Sequence, residues 1–378
     1  MIKSIDSAMP LCGGYAIARC TLMSDTANLT NPIVPKPTWQ IYALGGGWGH
    51  LNRALSLARI AAHSHLVRII TNSPYANYIN TLIAQENTQI LIQIIPPEAS
   101  FQQACIQVQN TLLKQDYNCL IVDTFPRGLG GELVEVFSQL KHIPKVLIHR
   151  DLNPDYVVAK DLTNFVKQNY NLVIIPGDSD DLPFADLPNV TPTLPWLMRS
   201  FSELDIKQAY SCLQLSYPQE KPVILVSSSG QPSELQLFGL LTQKLAEILP
   251  NTIIRCLAPI CPSNCPSELW VTHYPGIECL PAVDLVVGSG GYNTVNECLA
   301  LQMPLVAVAY PRVYDRQIRR LKAANLRFHP ASGDLDADTQ KIIDLVLNLC
   351  PLAKHSTPPP YLNGAIAAVS SIESLSGF

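Results

Sequence analysis

From residue 39 onward the chain alternates short apolar runs with longer stretches of helical periodicity, and this alternation narrows the fold more than any other feature. The runs are Ile41–Leu44, Val67–Thr71, Ile90–Ile95, Cys119–Val122, Val146–His149 and Leu172–Ile175. Near-continuous apolar runs read as strands buried on both faces, which is the situation in parallel sheets. The segments between them read as covering helices; Leu51, Ala54, Leu55 and Ala58, for example, fall on one helical face. Strand and helix in strict alternation predict a parallel sheet with helices on both sides.

The pattern breaks over 176–195, where Pro176, Pro183, Pro188, Pro192 and Pro195 suit a linker or hinge. It resumes with Val223–Val226, Ile253–Arg255, Leu285–Val287 and Leu305–Ala309, with helices expected at about 233–248, 294–301 and 314–324. It fades near Cys350, and Pro358-Pro359-Pro360 then precedes a weakly helical tail. A chain of 378 residues is too long for one ordinary domain and comfortable for two. The expected architecture is therefore α/β, with two Rossmann-like doubly wound domains facing a cleft. The boundaries are an extended leader over 1–37, a first α/β domain over 38–195, a second over 196–352, and a Pro-rich segment with a tail helix over 353–378.

Composition removes several function classes. Lys plus Arg is 26 against 30 for Asp plus Glu, so nothing favours nucleic acid as a partner. Apolar residues at 47% and charged ones at 15% exclude a disordered chain. The 11 cysteines are odd in number and irregularly spaced, unlike a secreted disulfide framework. Cys261 and Cys265 lie four apart, with Cys256 and His273 the near residues that could complete a zinc site; reduced thiols and no metal are expected. No run approaches the roughly 20 apolar residues of a membrane span, and residues 1–37 make a poor signal peptide. A cytoplasmic location follows as an expectation. Peripheral membrane contact remains open, with no basic amphipathic stretch behind it.

Two glycine-rich turns carry the chemistry. Gly288-Ser289-Gly290-Gly291-Tyr292-Asn293-Thr294-Val295-Asn296-Glu297 runs from a buried strand into a helix, with Asn293 or Thr294 as N-cap. Free backbone N–H groups and the positive end of a helix dipole there suit a phosphate. Glu297, one turn into the helix, is placed to meet sugar hydroxyls beside it, and the pair of features suggests a nucleotide. Gly45-Gly46-Gly47-Trp48-Gly49-His50 ends the first strand, and its glycines permit close approach of a ligand. It is not the dinucleotide fingerprint, because His50 stands at the third glycine position. Asp123 ends the strand Cys119–Val122 on the same face of the sheet, so it can meet His50. An aspartate that fixes the imidazole tautomer makes histidine a general base; capping the next turn is the alternative role.

Three further segments need weighing. Ser227-Ser228-Ser229-Gly230 follows a strand and reads as a polar loop or as hydroxyls and N–H groups for the same diphosphate. Asp315 and Gln317 follow the strand Leu305–Ala309, and read either as a grip on vicinal sugar hydroxyls or as an ordinary helix start. Asp178-Ser179-Asp180 has the form of a metal-binding D-x-D, but beside Asp181 in the Pro-rich segment it reads as a solvated acidic loop.

Taken together these pieces resemble the GT-B-fold glycosyltransferases, over most of residues 39–325. Gly45 to His50, followed by Leu51 and Ala54, looks like the N-terminal turn of the peptidoglycan N-acetylglucosaminyltransferase family. Gly291 to Glu297 is similar to the G-W-N-S-x-x-E core of the UDP-glycosyltransferases, and Pro304, Pro311, Asp315 and Gln317 continue that signature. The resemblance implies an inverting, metal-independent sugar transfer from a UDP-sugar, a co-substrate, with no other cofactor. It implies His50 as base with Asp123 as its partner. Ser228, Ser229, Gly230, Ser289, Gly290, Gly291, Asn293 and Thr294 would face the donor diphosphate, Glu297 the ribose, and Asp315 and Gln317 the transferred sugar. Gly47, Trp48, Gly49 and Arg127 would stand on the acceptor side, where a lipid, a small aglycone or a glycan all fit. Ser289 stands where the plant enzymes carry a phosphate-binding histidine. Two rival readings are a nucleotide-sugar 2-epimerase on the same fold and a non-catalytic nucleotide-sugar-binding subunit.

Overall fold

A computed structural model describes residues 36–86, 89–177, 182–312, 314–352 and 358–376. The first sheet contains β1 (Thr38–Tyr42), β2 (Leu66–Thr71), β3 (Ile90–Ile94), β4 (Cys119–Asp123), β5 (Lys145–Ile148), β6 (Leu172–Pro176) and β7 (Val190–Thr193), in the spatial order β3-β2-β1-β4-β5-β6-β7. The second contains β8 (Val223–Ser227), β9 (Ile253–Leu257), β10 (Trp270–Val271), β11 (Leu285–Ser289), β12 (Leu305–Ala309) and β13 (Arg327–Pro330), in the order β10-β9-β8-β11-β12-β13. Every pairing in both sheets is parallel. The result is the two-domain doubly wound α/β architecture that the alternation predicts. Every residue of β4, β5, β6 and β12 is buried, as expected for strands covered by helices on both faces.

The strand order positions the site. In each sheet the chain winds outward from one central strand, then returns to pair on that strand's other side. The reversal falls between β1 and β4 in the first sheet, and between β8 and β11 in the second. A crevice opens at such a point beyond the C-terminal strand ends, because the connecting helices leave in opposite directions. The Gly45–His50 turn follows β1, and Asp123 ends β4. The Ser227–Gly230 turn follows β8, and the Ser289–Gly291 turn follows β11.

The structure adds three strands that the apolar pattern does not reveal. β7 lies inside the segment expected to be a linker. Pro192 is tolerated there because β7 is the sheet's edge and its missing N–H removes no ladder bond. β13 is also an edge strand, only half-buried, so it carries no apolar run. β10 is two residues long. Residues 1–35 of the expected leader, and Asp178 to Asp181, lie outside the described residues.

Helix starts also shift. The helix after β11 spans Tyr292–Ala300 with Gly291 as N-cap, not Asn293 or Thr294. Burial of the Tyr292 side chain starts the helix earlier and brings Asn293 and Thr294 into its first turn. The helix expected at about 314 begins at Gln317, because the preceding residues are drawn into ion pairs described below.

The helix Gly364–Ser376 packs on the helix Trp48–Ala61 and on β6 and β7, so the end of the chain returns to the first sheet. Asn363 fastens it: its Oδ1 accepts from Leu197 N–H at 3.2 Å, and its amide donates to the Leu197 carbonyl at 2.8 Å. Gly364 then donates its N–H to the Pro195 carbonyl at 3.0 Å. Among the described residues no helix is long and apolar enough to cross a membrane. A Cβ added at Gly364 would lie 1.8 Å from the Leu194 carbonyl oxygen, so backbone must move to admit it. Gly364→Ala is therefore expected to lose about 1–3 kcal/mol of stability, the usual range for overpacking, as a lowered urea midpoint. An unchanged midpoint would show that the terminal helix is not held as described.

Candidate functional site

The helix Trp48–Ala61 delivers His50 and Arg53 to one carboxylate. His50 Nδ1 lies 2.6 Å from Asp123 Oδ2. Arg53 donates through Nε to Asp123 Oδ1 at 2.6 Å and through Nη2 to Oδ2 at 2.7 Å. The spacing of three residues puts both donors on the same helix face. Asp123 and Arg53 are fully buried, while the His50 side chain keeps 17% of its surface open toward the cleft. The imidazole lies against the Gly45 α-carbon: a Cβ there would stand 2.1 Å from His50 Cδ2, so only glycine fits.

Charge balance follows from this geometry. Burial alone would raise the Asp123 carboxyl, but the Arg53 guanidinium and the His50 contact outweigh it and hold the group well below the usual carboxylate range. Burial lowers His50 from its ordinary value, and the Asp123 bond does not fully offset this, since Arg53 opposes a second positive charge nearby. The arrangement favours a neutral imidazole with Nδ1–H donated to Asp123. Nε2, which has no hydrogen-bond partner among the described residues, is then a free base. Phe125 stacks beside the ring at 5.5 Å between centroids.

A cleft of about 540 Å³ separates this dyad from the second sheet's turns. Its wall includes Gly47, Trp48, Gly49 and His50 from the first sheet's side, and Ser228, Ser229, Ser289, Gly291, Asn293, Thr294, Glu297, Asp315 and Gln317 from the second. Asp123 stands behind His50. Gly230, Gly290 and Arg127 do not line the cleft. Gly230 packs under Tyr75 and Pro259, and Gly290 against Leu321. The Arg127 guanidinium lies over the Phe165 ring at 4.8 Å. Trp48 stacks with Tyr75 at 4.2 Å and with Tyr274 at 5.1 Å between ring centres.

The two turns of the second sheet differ. At the helix Tyr292–Ala300 the N-cap Gly291 makes no side-chain cap, and the first-turn N–H groups have no partner among the described residues. That end of the helix is open to an anion. At Ser227–Gly230 the Ser229 donors are already taken. Glu234, in the first turn of the helix Pro232–Ile248, accepts from the Ser229 N–H at 3.2 Å and from its hydroxyl. Arg312 neutralises Glu234 at 2.6 Å. An internal carboxylate thus occupies the electropositive end of this helix.

Glu297 has no hydrogen-bond partner for its carboxyl among the described residues, and burial pushes it up to about 8. Asp315 is the opposite case. Burial would raise it, but Arg150 at 2.7 Å and Arg320 at 2.5 Å hold it well below the usual carboxylate range. Gln317 Oε1 accepts from the Tyr310 N–H at 2.9 Å. Arg316 pairs with Asp151, so two consecutive residues tie this loop to the first sheet.

Arg53, Arg150, Glu234, Tyr292 and Arg312 are the residues that motif reading passes over. The guanidinium carbons of Arg53 and Arg150 lie 5.7 and 5.5 Å from the Tyr292 ring centre. Only Arg53 leaves a local signal, a cation amid the apolar face Leu51, Ala54, Leu55 and Ala58. Among the described residues, the one trio able to hold a metal is Cys212, His273 and Glu278; Cys256, Cys261 and Cys265 form no such group, with or without His273.

No family model matches the chain, and no curated protein matches it. Solved structures do. The UDP-GlcNAc 2-epimerase from Neisseria meningitidis bound to UDP-GlcNAc is 14% identical, with a TM-score of 0.61 over 90% of this chain and 100% of that one. A UDP-glucosyltransferase from Polygonum tinctorium capable of glucosylating indoxyl is 12% identical, with a TM-score of 0.53 over 91% of this chain and 99% of that one. MurG from Acinetobacter baumannii is 14% identical, with a TM-score of 0.52 over 90% of this chain and 100% of that one. At these identities the likeness establishes the fold, which is that of the GT-B glycosyltransferases.

The Glu297 carboxyl has a sign-defined consequence. Its folded value lies above the ordinary 4.5, so the protonated form favours folding. That contribution is complete below pH 4.5 and is lost as pH rises through about 8, because the unfolded chain releases its proton first. Glu297→Gln should therefore gain in melting temperature relative to wild type between pH 5 and pH 9, on the order of several degrees at the alkaline end. A pH-independent difference would refute the desolvated, unpartnered carboxyl.

Proposed function

We propose that the protein is an inverting, metal-independent glycosyltransferase that moves a sugar from a UDP-sugar to an acceptor hydroxyl. The observation that carries this reading is the opposition, across one cleft, of a free imidazole nitrogen at His50 and an uncapped helix end at Gly291–Thr294. The diphosphate sits on the first-turn N–H groups, with the Ser289 and Thr294 hydroxyls beside it. A negative group at that end gains about 0.3–1 kcal/mol from the helix dipole, and more as negative charge develops on the leaving group. Glu297, held neutral at pH 7, can both donate to and accept from ribose hydroxyls.

In the reaction His50 Nε2 takes the proton of the acceptor hydroxyl as its oxygen attacks the anomeric carbon from the face opposite the diphosphate. The C–O bond to the diphosphate breaks, and UDP leaves with the electron pair. Asp123 holds the imidazole tautomer and supports the imidazolium that forms. Asp315 would meet the transferred sugar together with the arginines that already hold it, so Arg150 shares that position. The choice of UDP is supported by the UDP-sugar enzymes among the structural neighbours.

A 2-epimerase is the second reading, and the likeness to the Neisseria enzyme favours it. That chemistry calls for carboxylate bases beside the sugar. In this cleft Asp315 and Glu234 are ion-paired, which leaves Glu297 as the unpartnered carboxyl. Incubating the protein with a panel of nucleotide sugars, with and without cell-extract acceptors, separates the readings. The transferase releases UDP and forms a glycoside of inverted configuration only when acceptor is present; an epimerase changes C2 without acceptor. His50→Ala is expected to lower the transfer rate by about 10²–10⁴-fold while UDP affinity changes less than about twofold. A His50→Ala variant that transfers as fast as wild type removes His50 from the mechanism, and binding without turnover supports a non-catalytic subunit.

A further inference from the structure

At the end of the helix Ile206–Cys212, reaching the cleft wall through His273, lies a group of side chains to which the proposed transfer assigns no role. Cys212 Sγ stands 3.4 Å from His273 Nε2, and the same nitrogen stands 2.7 Å from Glu278 Oε2. The three donor atoms all lie within 4.8 Å of one another. The buried Cys279 thiol is a near neighbour of Cys212. We propose that Cys212, His273 and Glu278 form a binding site for a divalent cation of zinc type, with Cys279 or water as the fourth ligand.

The chemistry of the set points to zinc. Thiolate, imidazole and carboxylate together match a borderline-soft ion, whereas magnesium and calcium take oxygen ligands. A tetrahedral zinc ion with sulfur at about 2.3 Å and nitrogen at about 2.0 Å separates those two atoms by roughly 3.5 Å. The Cys212–His273 separation already has that value. The His273–Glu278 pair would open by about half an ångström as the metal replaces the proton between them.

The surroundings supply what such a site needs. Arg199 Nε donates to Glu278 Oε1 at 2.5 Å, which orients the carboxylate and leaves Oε2 toward His273. The His273 and Glu278 side chains keep 22% and 19% of their surface open, so an ion has a way in. The donors come from two segments far apart in the chain: a helix near residue 212, and the stretch 273–278, which runs from just after β10 into the 3-10 turn Gly276–Ala282. A metal joining them would brace the wall that carries Tyr274, which stacks on Trp48 and donates its hydroxyl to Asn52 at 2.6 Å. The role is structural, and it is independent of the sugar-transfer reading.

The test uses the full chain, purified under reducing conditions without chelator, with metal content measured by atomic emission. About one equivalent of zinc is expected in wild type and in Cys261→Ser, against less than roughly a tenth of that in Cys212→Ser and His273→Asn. Cobalt(II) added to the metal-free protein should give a thiolate-to-metal charge-transfer band that Cys212→Ser abolishes, with circular dichroism confirming that the variant is folded. If Cys212→Ser does not fold, the wild-type cobalt band, retained in Cys261→Ser and weakened about tenfold in affinity by Glu278→Gln, decides the matter. Wild type that takes up neither zinc nor cobalt overturns the proposal. So does a metal that stays bound in folded Cys212→Ser.

Discussion

The Asp123 carboxylate, buried at the end of β4, is the constraint on which the rest of the site depends. It accepts from Arg53 and His50 on one helix, and Arg53 in turn lies against Tyr292 of the second sheet's helix. Leaving one charge of a buried pair unpartnered costs about 3–5 kcal/mol, more than a surface ion pair contributes. The three side chains therefore stand or fall together. The same pairing sets the chemistry: with Arg53 neutralising Asp123, the carboxylate can orient His50 without forcing a proton onto it.

The opposite side of the cleft is organised by helix ends. Two helices of the second sheet point their positive ends at the cavity, and the chain treats them differently. At Pro232–Ile248 the buried Glu234, with Arg312, fills the position an anion would take. At Tyr292–Ala300 none of the described residues does so. The diphosphate reading rests on that asymmetry, since the helix end that carries no carboxylate in its first turn, facing a free base, fixes which way round a donor would lie.

Much of the fold was legible in the sequence because buried parallel strands write themselves as apolar runs. All ten runs named from the pattern are strands. β7 and β13 escaped because edge strands need neither continuous apolar character nor, in the case of Pro192, a full set of N–H donors. The meeting of His50 and Asp123 was legible for a topological reason, since parallel strands bring their C-terminal ends to one face. The ion pairs were not. Arg150–Asp315, Arg316–Asp151 and Arg312–Glu234 join residues 78 to 165 positions apart, and no local spacing encodes such a partner. Those pairs change how Asp315 and Ser229 are read: both carry the expected residue types, and both are already engaged.

The central claim is that His50 offers an unprotonated Nε2 to the cleft while Nδ1–H is held by Asp123. Nitrogen-15 NMR of the histidine side chains measures this directly. The account predicts the Nδ1–H tautomer at pH 7 and a titration below the ordinary value of 6.5, displaced upward when Arg53 is replaced by methionine. An Nε2–H tautomer, or a His50 that titrates above 6.5 in the wild type, would contradict it.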